Sequence, residues 1–252
     1  MNKIDYPALT SYLFWSELKS DMNKFMLGAL WWVLEPALYV AVFYFLFAEL
    51  RGRADFALVL VCGIVTWQWL IGIITSGASS VLKKKNLVQN FRVHPFAFPV
   101  VILLVNTFKY GVVLSFAIAL FIWKDAFNPG TAVDFGLWFS AAIITAFSYA
   151  VLFSVATPFF PDLQMVISRA AMLMMFLSGV IFPISQMSPE AQALLYWNPF
   201  AHLIEGVRDL LLYGEAGDRQ KLLIILVSHI PILLISYTLL SRLRGEIPKR
   251  LV

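Results

Sequence analysis

The sequence predicts an all-α integral membrane protein with six transmembrane helices, an N-terminal amphipathic interface helix and a helical hairpin between spans five and six. Three observations predict it. First, 60% of the residues are hydrophobic and only 13% are charged, whereas a soluble domain is usually about 45–50% apolar and about 25% charged. A chain of 252 residues has too much surface to hide that excess in one water-soluble core, so lipid must solvate much of it. Second, the apolar residues fall into stretches near the ~20 residues that a ~30 Å hydrocarbon core demands. Third, the basic residues are unevenly shared between the two ends of those stretches.

In chain order the spans read Leu27–Leu50, Phe56–Gly77, Pro99–Trp123, Phe135–Phe159, Met165–Phe182 and Leu222–Leu240. The fifth is the shortest, and Gly179 and Pro183 mark a break at its far end. An even number of crossings puts both termini on one side. That side receives Lys3, Lys19, Lys24, Lys83, Lys84, Lys85, Arg92, Arg169, Arg242, Arg244, Lys249 and Arg250, twelve of the 19 basic residues. The opposite side receives six, and Lys109 lies within the third span. By the positive-inside rule both termini of this multi-pass protein are cytosolic. The net charge of +4 then needs no nucleic-acid partner, because the basic residues border membrane spans.

Two segments do not span. Residues 8–25 place Leu9, Leu13, Phe14 and Leu18 on a roughly helical period among Glu17, Lys19, Asp21 and Lys24, the pattern of an amphipathic helix on the cytosolic interface. On the outer side, Ser188–Pro189 is a helix start, with the hydroxyl as N-cap and proline at the first helical position. Asn198–Pro199 breaks that helix, and Phe200–Tyr213 forms another, closed by Gly214. Glu205, Arg208 and Asp209 share one helical face. Three charges there disfavour a seventh crossing, each costing about 2.5–3.5 kcal/mol at mid-bilayer. A hairpin over 188–213 dipping into the outer leaflet fits better. No repeat or linker divides the chain, so residues 1–252 read as one membrane domain, without a cleavable signal peptide.

The chemistry of an enzyme is missing. The single cysteine, Cys62, rules out an internal disulfide and a Cys-based zinc site. The three histidines, His94, His202 and His229, lie on different segments, and no His-Glu-x-x-His pattern occurs. No catalytic or metal-ligating set is expected. The phosphate-cradling Gly-x-x-x-x-Gly-Lys-Ser/Thr loop is also absent, so ATP-driven transport would need ATP and Mg bound on a partner polypeptide. Two ionisable residues lie within spans. Glu35 precedes Pro36 at an expected kink, where it binds freed backbone groups or interfacial cations. Lys109, about 15 Å into the third span, either snorkels or pairs with a carboxylate. Aromatic residues crowd the first two spans. Trp31, Trp32, Tyr39, Trp67 and Trp69 serve either as interfacial anchors or as flat faces along a pore on which sugar rings slide through weak, repeated sites.

Several blocks resemble one family. They are LGALWWVLEP (Leu27–Pro36), CGIVTWQWL (Cys62–Leu70), FFPDLQ (Phe159–Gln164), the long run from Ser178 to Gly214, and the basic tail. In consistent order over nearly the whole chain, they resemble the membrane subunits of type-2 ABC exporters, above all those that move capsule or O-antigen polysaccharide. The resemblance implies a homodimer with two copies of a cytosolic ATPase subunit, a lipid-linked polysaccharide substrate, surrounding membrane lipids and periplasmic export proteins as further partners. It implies that helix 8–25 contacts the ATPase, and that segment 83–95, with Lys83, Lys84, Lys85, Asn86, Arg92 and His94, seats a coupling helix in it. It further implies that hairpin 188–213, with Trp197, Asn198, Glu205, Arg208 and Asp209, forms periplasmic gate helices. The first, second and fifth spans would line the channel, adding Met172 and Met175, whose side chains adapt their shape. Two rivals remain: a type-2 exporter of small drugs or lipids, and a membrane-embedded enzyme of polysaccharide assembly.

Overall fold

A computed structural model describes residues 5–51, 56–91 and 93–247, and every regular element among them is helical. Helix α1 (Tyr6–Asn23) begins where the Asp5 side chain accepts a hydrogen bond from the Ala8 amide at 3.2 Å. Pro7 sits in its first turn, where a missing N–H is harmless. Leu13 and Leu18 are buried in a cluster with Val81, Phe98, Val101 and Val105, while Tyr12 and Trp15 are exposed. One flank of α1 is thus packed against the later helices Ser80–Lys83 and Ala97–Trp123, while aromatic Tyr12 and Trp15 stand on an exposed flank.

A 3₁₀ turn at Gly28–Leu30 leads into α2 (Trp31–Arg51), which continues through Pro36. Then come α3 (Phe56–Ala78), two short helices α4 (Ser80–Lys83) and α5 (Lys85–Phe91), α6 (Ala97–Trp123) and α7 (Ala132–Ala156). The FFPDLQ block makes the turn into α8 (Leu163–Phe176), which is followed by α9 (Pro189–Leu195), α10 (Pro199–Arg208) and α11 (Arg219–Arg242). Among the described residues five helices, α2, α3, α6, α7 and α11, are long and apolar enough to cross a membrane. Their bounds lie within a few residues of the spans read from the sequence.

The expected fifth span, Met165–Phe182, is not one continuous helix. α8 has 14 residues, about 21 Å of rise against a ~30 Å hydrocarbon core. It ends at Leu177, and the chain then runs irregularly through Gly179, whose φ of +67° is left-handed. Irregular backbone at membrane depth is tolerated only where other groups satisfy its carbonyls and amides.

α3 is the hub. In the most apolar stretch of each helix, 72% of residues are buried for α3 but only 6% for α2. Lipid is as apolar as leucine, so burial here reflects close packing rather than escape from water. α7 supplies the close approach with fully buried Ala142, Ala146 and Ala150 at four-residue spacing, and Gly77 of α3 lies against Ala150. The start of α7 is tied to the start of α11 by Arg219, which reaches Asp134 at 2.5 and 3.0 Å. The sequence carries no local sign of that pair, which joins residues 85 positions apart.

Candidate functional site

The outer hairpin forms where the capping residues place it. Ser188 caps α9, its hydroxyl accepting from the Ala191 amide. Asn198 caps α10, accepting from the Phe200 amide at 3.0 Å. Its side-chain amide also donates to the Leu177 carbonyl at 2.7 Å and the Ser178 hydroxyl at 3.1 Å. One residue therefore starts α10 and holds the broken end of α8. α10 runs on through a π turn, Asp209–Tyr213, and stops at left-handed Gly214, as the glycine's place in the sequence implies. Trp138 of α7 donates to the Leu203 carbonyl at 2.8 Å, fixing α10 to the bundle. Trp197, between α9 and α10, is 84% exposed.

Arg208 is fully buried. Its guanidinium donates to the carbonyls of Val180 at 2.6 Å, Gly179 at 2.8 Å and Val59 at 3.4 Å, and to Glu205 at 3.2 Å. The same Glu205 oxygen accepts from the Ile184 amide at 2.7 Å. The irregular stretch after α8 thus has its carbonyls met by Arg208 and an amide met by Glu205. A buried charge is tolerable only with such a full set of partners, and the planar five-donor fork of arginine suits several carbonyls at once. Gly63 of α3 completes the joint. A Cβ there would stand 2.2 Å from the Val180 carbonyl oxygen and 2.7 Å from the Arg208 guanidinium, so only glycine lets the backbones meet.

Asp209 was expected to join the Glu205–Arg208 group. It shares their helical turn, yet among the described residues Arg208 forms its ion pair with Glu205 alone. Burial, and then Glu205 and Glu215, raise its carboxyl to about 6 against the opposing pull of Arg208.

The other end of the bundle gathers α1, α4, α5 and the start of α6. Glu17 of α1 pairs with Lys84 at 2.8 Å. Asp21 pairs with Lys109 and accepts from the Trp32 indole N–H at 3.0 Å, while the Lys109 ammonium also lies 5.5 Å from the Trp32 ring centre. Lys109 therefore pairs with a carboxylate, the second of the two readings open from sequence, and its partner is an acid on α1. One ion pair thus holds α1 to α6, a second holds it to the α4–α5 junction, and the indole hydrogen bond holds it to α2. Lys83, Lys85 and Asn86 stay exposed, whereas Arg92 lies outside the described residues. His94, placed in the coupling segment by the resemblance, is held between elements. Its Nδ1 accepts from the Phe96 amide at 3.3 Å, its Nε2 meets the Ser241 hydroxyl at 3.3 Å, and its ring stacks on Tyr237. Burial, and then Arg244, hold its pKa below the usual histidine value.

A family model described as ABC-2 type transporter matches residues 8–212. The chain belongs to the ABC-2 type transporter family. The match runs from α1 through the hairpin and stops before α11. Among curated proteins the chain is similar to the O-antigen export system permease protein RfbA of Klebsiella pneumoniae, 29% identical over 209 residues, 79% of this chain and 78% of the relative. It is similar to the polysialic acid transport protein KpsM of Escherichia coli, 24% identical over 216 residues and 83% of each chain. It is also similar to the RfbA permease of Myxococcus xanthus, 21% identical over 245 residues, 96% of this chain and 94% of the relative. The protein is thus a multi-pass ABC-2 membrane subunit, a transport subunit whose family pairs with an ATPase.

Within this ABC-2 domain the aromatic residues divide. Trp67 and Trp69, grouped with the channel residues from sequence, are each only 4% exposed. Trp69 is sandwiched between Tyr110, 4.2 Å away and nearly parallel, and Phe139 at 5.5 Å, with its N–H directed to the Thr107 hydroxyl at 3.3 Å. Trp67 packs edge-on against Phe200 of α10. That burial takes both rings off the surface of the single chain. Trp31 and Trp32 are half-buried, and Glu35 is exposed beside buried Pro36. Tyr39 and Met172 are exposed, while Met175 packs under α3 against Ile64 and its neighbours.

Proposed function

We propose that the chain is the channel-forming permease subunit of an ATP-driven exporter that moves lipid-linked polysaccharide, capsule or O-antigen, from the bacterial cytosol to the periplasm. The observation that carries this reading is the alignment over 79–96% of the chain with proteins named for export of O-antigen or polysialic acid. Two copies would assemble with two cytosolic ATPases in the inner membrane. The exposed flank of α2 with Tyr39, and α8 with Met172, are the surfaces two copies would present to a path between them. α8 with its irregular extension would complete the sixth crossing. At the cytosolic end, α1 with the exposed lysines Lys83 and Lys85 and the neighbouring Asn86 would form a surface suited to an ATPase, and the Asp21–Lys109 pair would pass its movement to α6. At the outer end, the hairpin held by Arg208 would close the path. Deletion of the gene tests this. The expected outcome is loss of surface polysaccharide with lipid-linked polymer accumulating in the cytosol, restored by the intact chain. Normal surface polymer together with lost drug or lipid efflux would move the assignment to the first rival.

A further inference from the structure

Three cavities between α1, α2, α3 and α6 join end to end. The first, about 320 Å³, lies between α1 and α6, with Lys24, Lys83, Lys84 and Lys109 set against Glu17 and Asp21. It shares Asn106 and Lys109 with a second of about 310 Å³, which contains Glu35 and Gln68. That one shares Pro36, Val65 and Val113 with a third of about 400 Å³, lined by apolar residues and Tyr44. The groove thus grades from cationic to wholly apolar along one axis. From Lys109 to Leu120 it follows α6 for about 16 Å, close to half of a ~30 Å hydrocarbon core. Its apolar wall is open, since Tyr44 is 41% and Phe116 59% exposed.

We propose that this groove holds one anionic glycerophospholipid of the surrounding bilayer, its phosphate at the lysine end and an acyl chain along α2, α3 and α6. Charge complementarity selects the headgroup. Glu17 and Asp21 occupy Lys84 and Lys109, while Lys24 and Lys83 have no carboxylate partner among the described residues and are left to receive a phosphate. A lysine near a membrane surface is worth roughly a fivefold preference for anionic lipid. The groove opens to the bilayer along its length, so bulk phospholipid outcompetes scarcer lipids by mass action. The bound phosphate would sit where α1 is pinned to α6 and steady that attachment. The inference is independent of which polymer is exported.

The test uses the full-length chain in phosphatidylcholine vesicles containing a trace of spin-labelled phosphatidylglycerol or spin-labelled phosphatidylcholine, reading the motionally restricted fraction. The expected result is an at least roughly fivefold preference for the phosphatidylglycerol label. Lys24→Gln with Lys83→Gln, both surface changes, should bring that preference close to unity. Ala41→Trp, which fills the apolar end, should remove restricted sites for both labels. An unchanged preference in the double lysine variant overturns the proposal. So does displacement of the label by equimolar polyprenyl diphosphate, which would assign the groove to another lipid. Loss of self-association in Ala41→Trp with restricted lipid unchanged would assign it to a second copy and equally overturn the proposal.

Discussion

Replacing Arg208 by Met keeps an unbranched side chain of similar length and removes the charge and all donors. Three carbonyls, those of Val59, Gly179 and Val180, lose a hydrogen-bond partner, and Glu205 loses its cation. Hydrogen bonds from a charged donor contribute about 1.5–3 kcal/mol each, and breaking a buried ion pair on one side costs about 3–5 kcal/mol. These terms overlap, since the same guanidinium makes every contact, so the net loss is set at about 3–5 kcal/mol. At about 1.4 kcal/mol per decade, the irregular stretch and hairpin should open at least roughly a hundredfold more often. Amide hydrogen exchange by mass spectrometry over residues 177–214 reads that equilibrium directly. Arg208→Lys should fall between the two, because a point charge cannot face several carbonyls as the guanidinium fork does. Exchange of 179–184 in Arg208→Met within about threefold of the parent would refute the claim that Arg208 holds this segment.

Trp69→Ala should destabilise the detergent-solubilised protein by about 3–5 kcal/mol, as removal of a stacked core indole does. Trp197→Ala should stay within about 0.5 kcal/mol at its exposed site, and equal melting shifts for the two would contradict the core assignment. Asp209 has a folded pKa of about 6, above its ordinary value near 3.8. The folded state therefore holds its proton more tightly. Stability of the hairpin should be highest below about pH 4, the ordinary carboxyl range, and should fall as pH rises toward the folded value. Asp209→Asn should flatten that dependence in exchange corrected for intrinsic rates, and an undiminished slope would exclude Asp209 as its source. Lys85→Glu with Asn86→Glu leaves the Glu17–Lys84 pair in place. This double change should reduce co-purification of the partner ATPase severalfold, and undiminished recovery would remove α5 from the docking surface.

Much of this architecture was legible along the chain because lipid as solvent imposes length and polarity on each crossing helix locally. Five spans, the cap at Ser188, the break at Asn198–Pro199 and the stop at Gly214 all depend on neighbours within about four residues, so the linear sequence displays them. For Lys109 the expense of a lone ammonium within a span left two readings open, snorkelling or pairing with a carboxylate. The sequence could not choose between them, since the acid it takes, Asp21, lies 88 positions away on an element expected to rest on the surface. The short fifth span was misread for a related reason. Composition through Phe182 stays apolar, and the helix ends early because Arg208 and Glu205, more than twenty residues downstream, supply hydrogen bonds that free Gly179, Val180 and Ile184 from helical pairing. Trp67 and Trp69 show the same limit. An indole in an apolar span reads alike whether it faces lipid, a pore or the core, and only the enclosure of α3 by α6, α7 and α10 decided that both are inside.

Local polarity and length thus determined that this chain crosses the bilayer repeatedly, where its helices start, and which ends carry positive charge. Tertiary structure alone decided which charges meet, where the backbone leaves the helix, and which helix is hidden from lipid. The physical reason is that hydrocarbon sets the same demands on every span, whereas the pairing of buried polar groups is settled between residues distant in sequence.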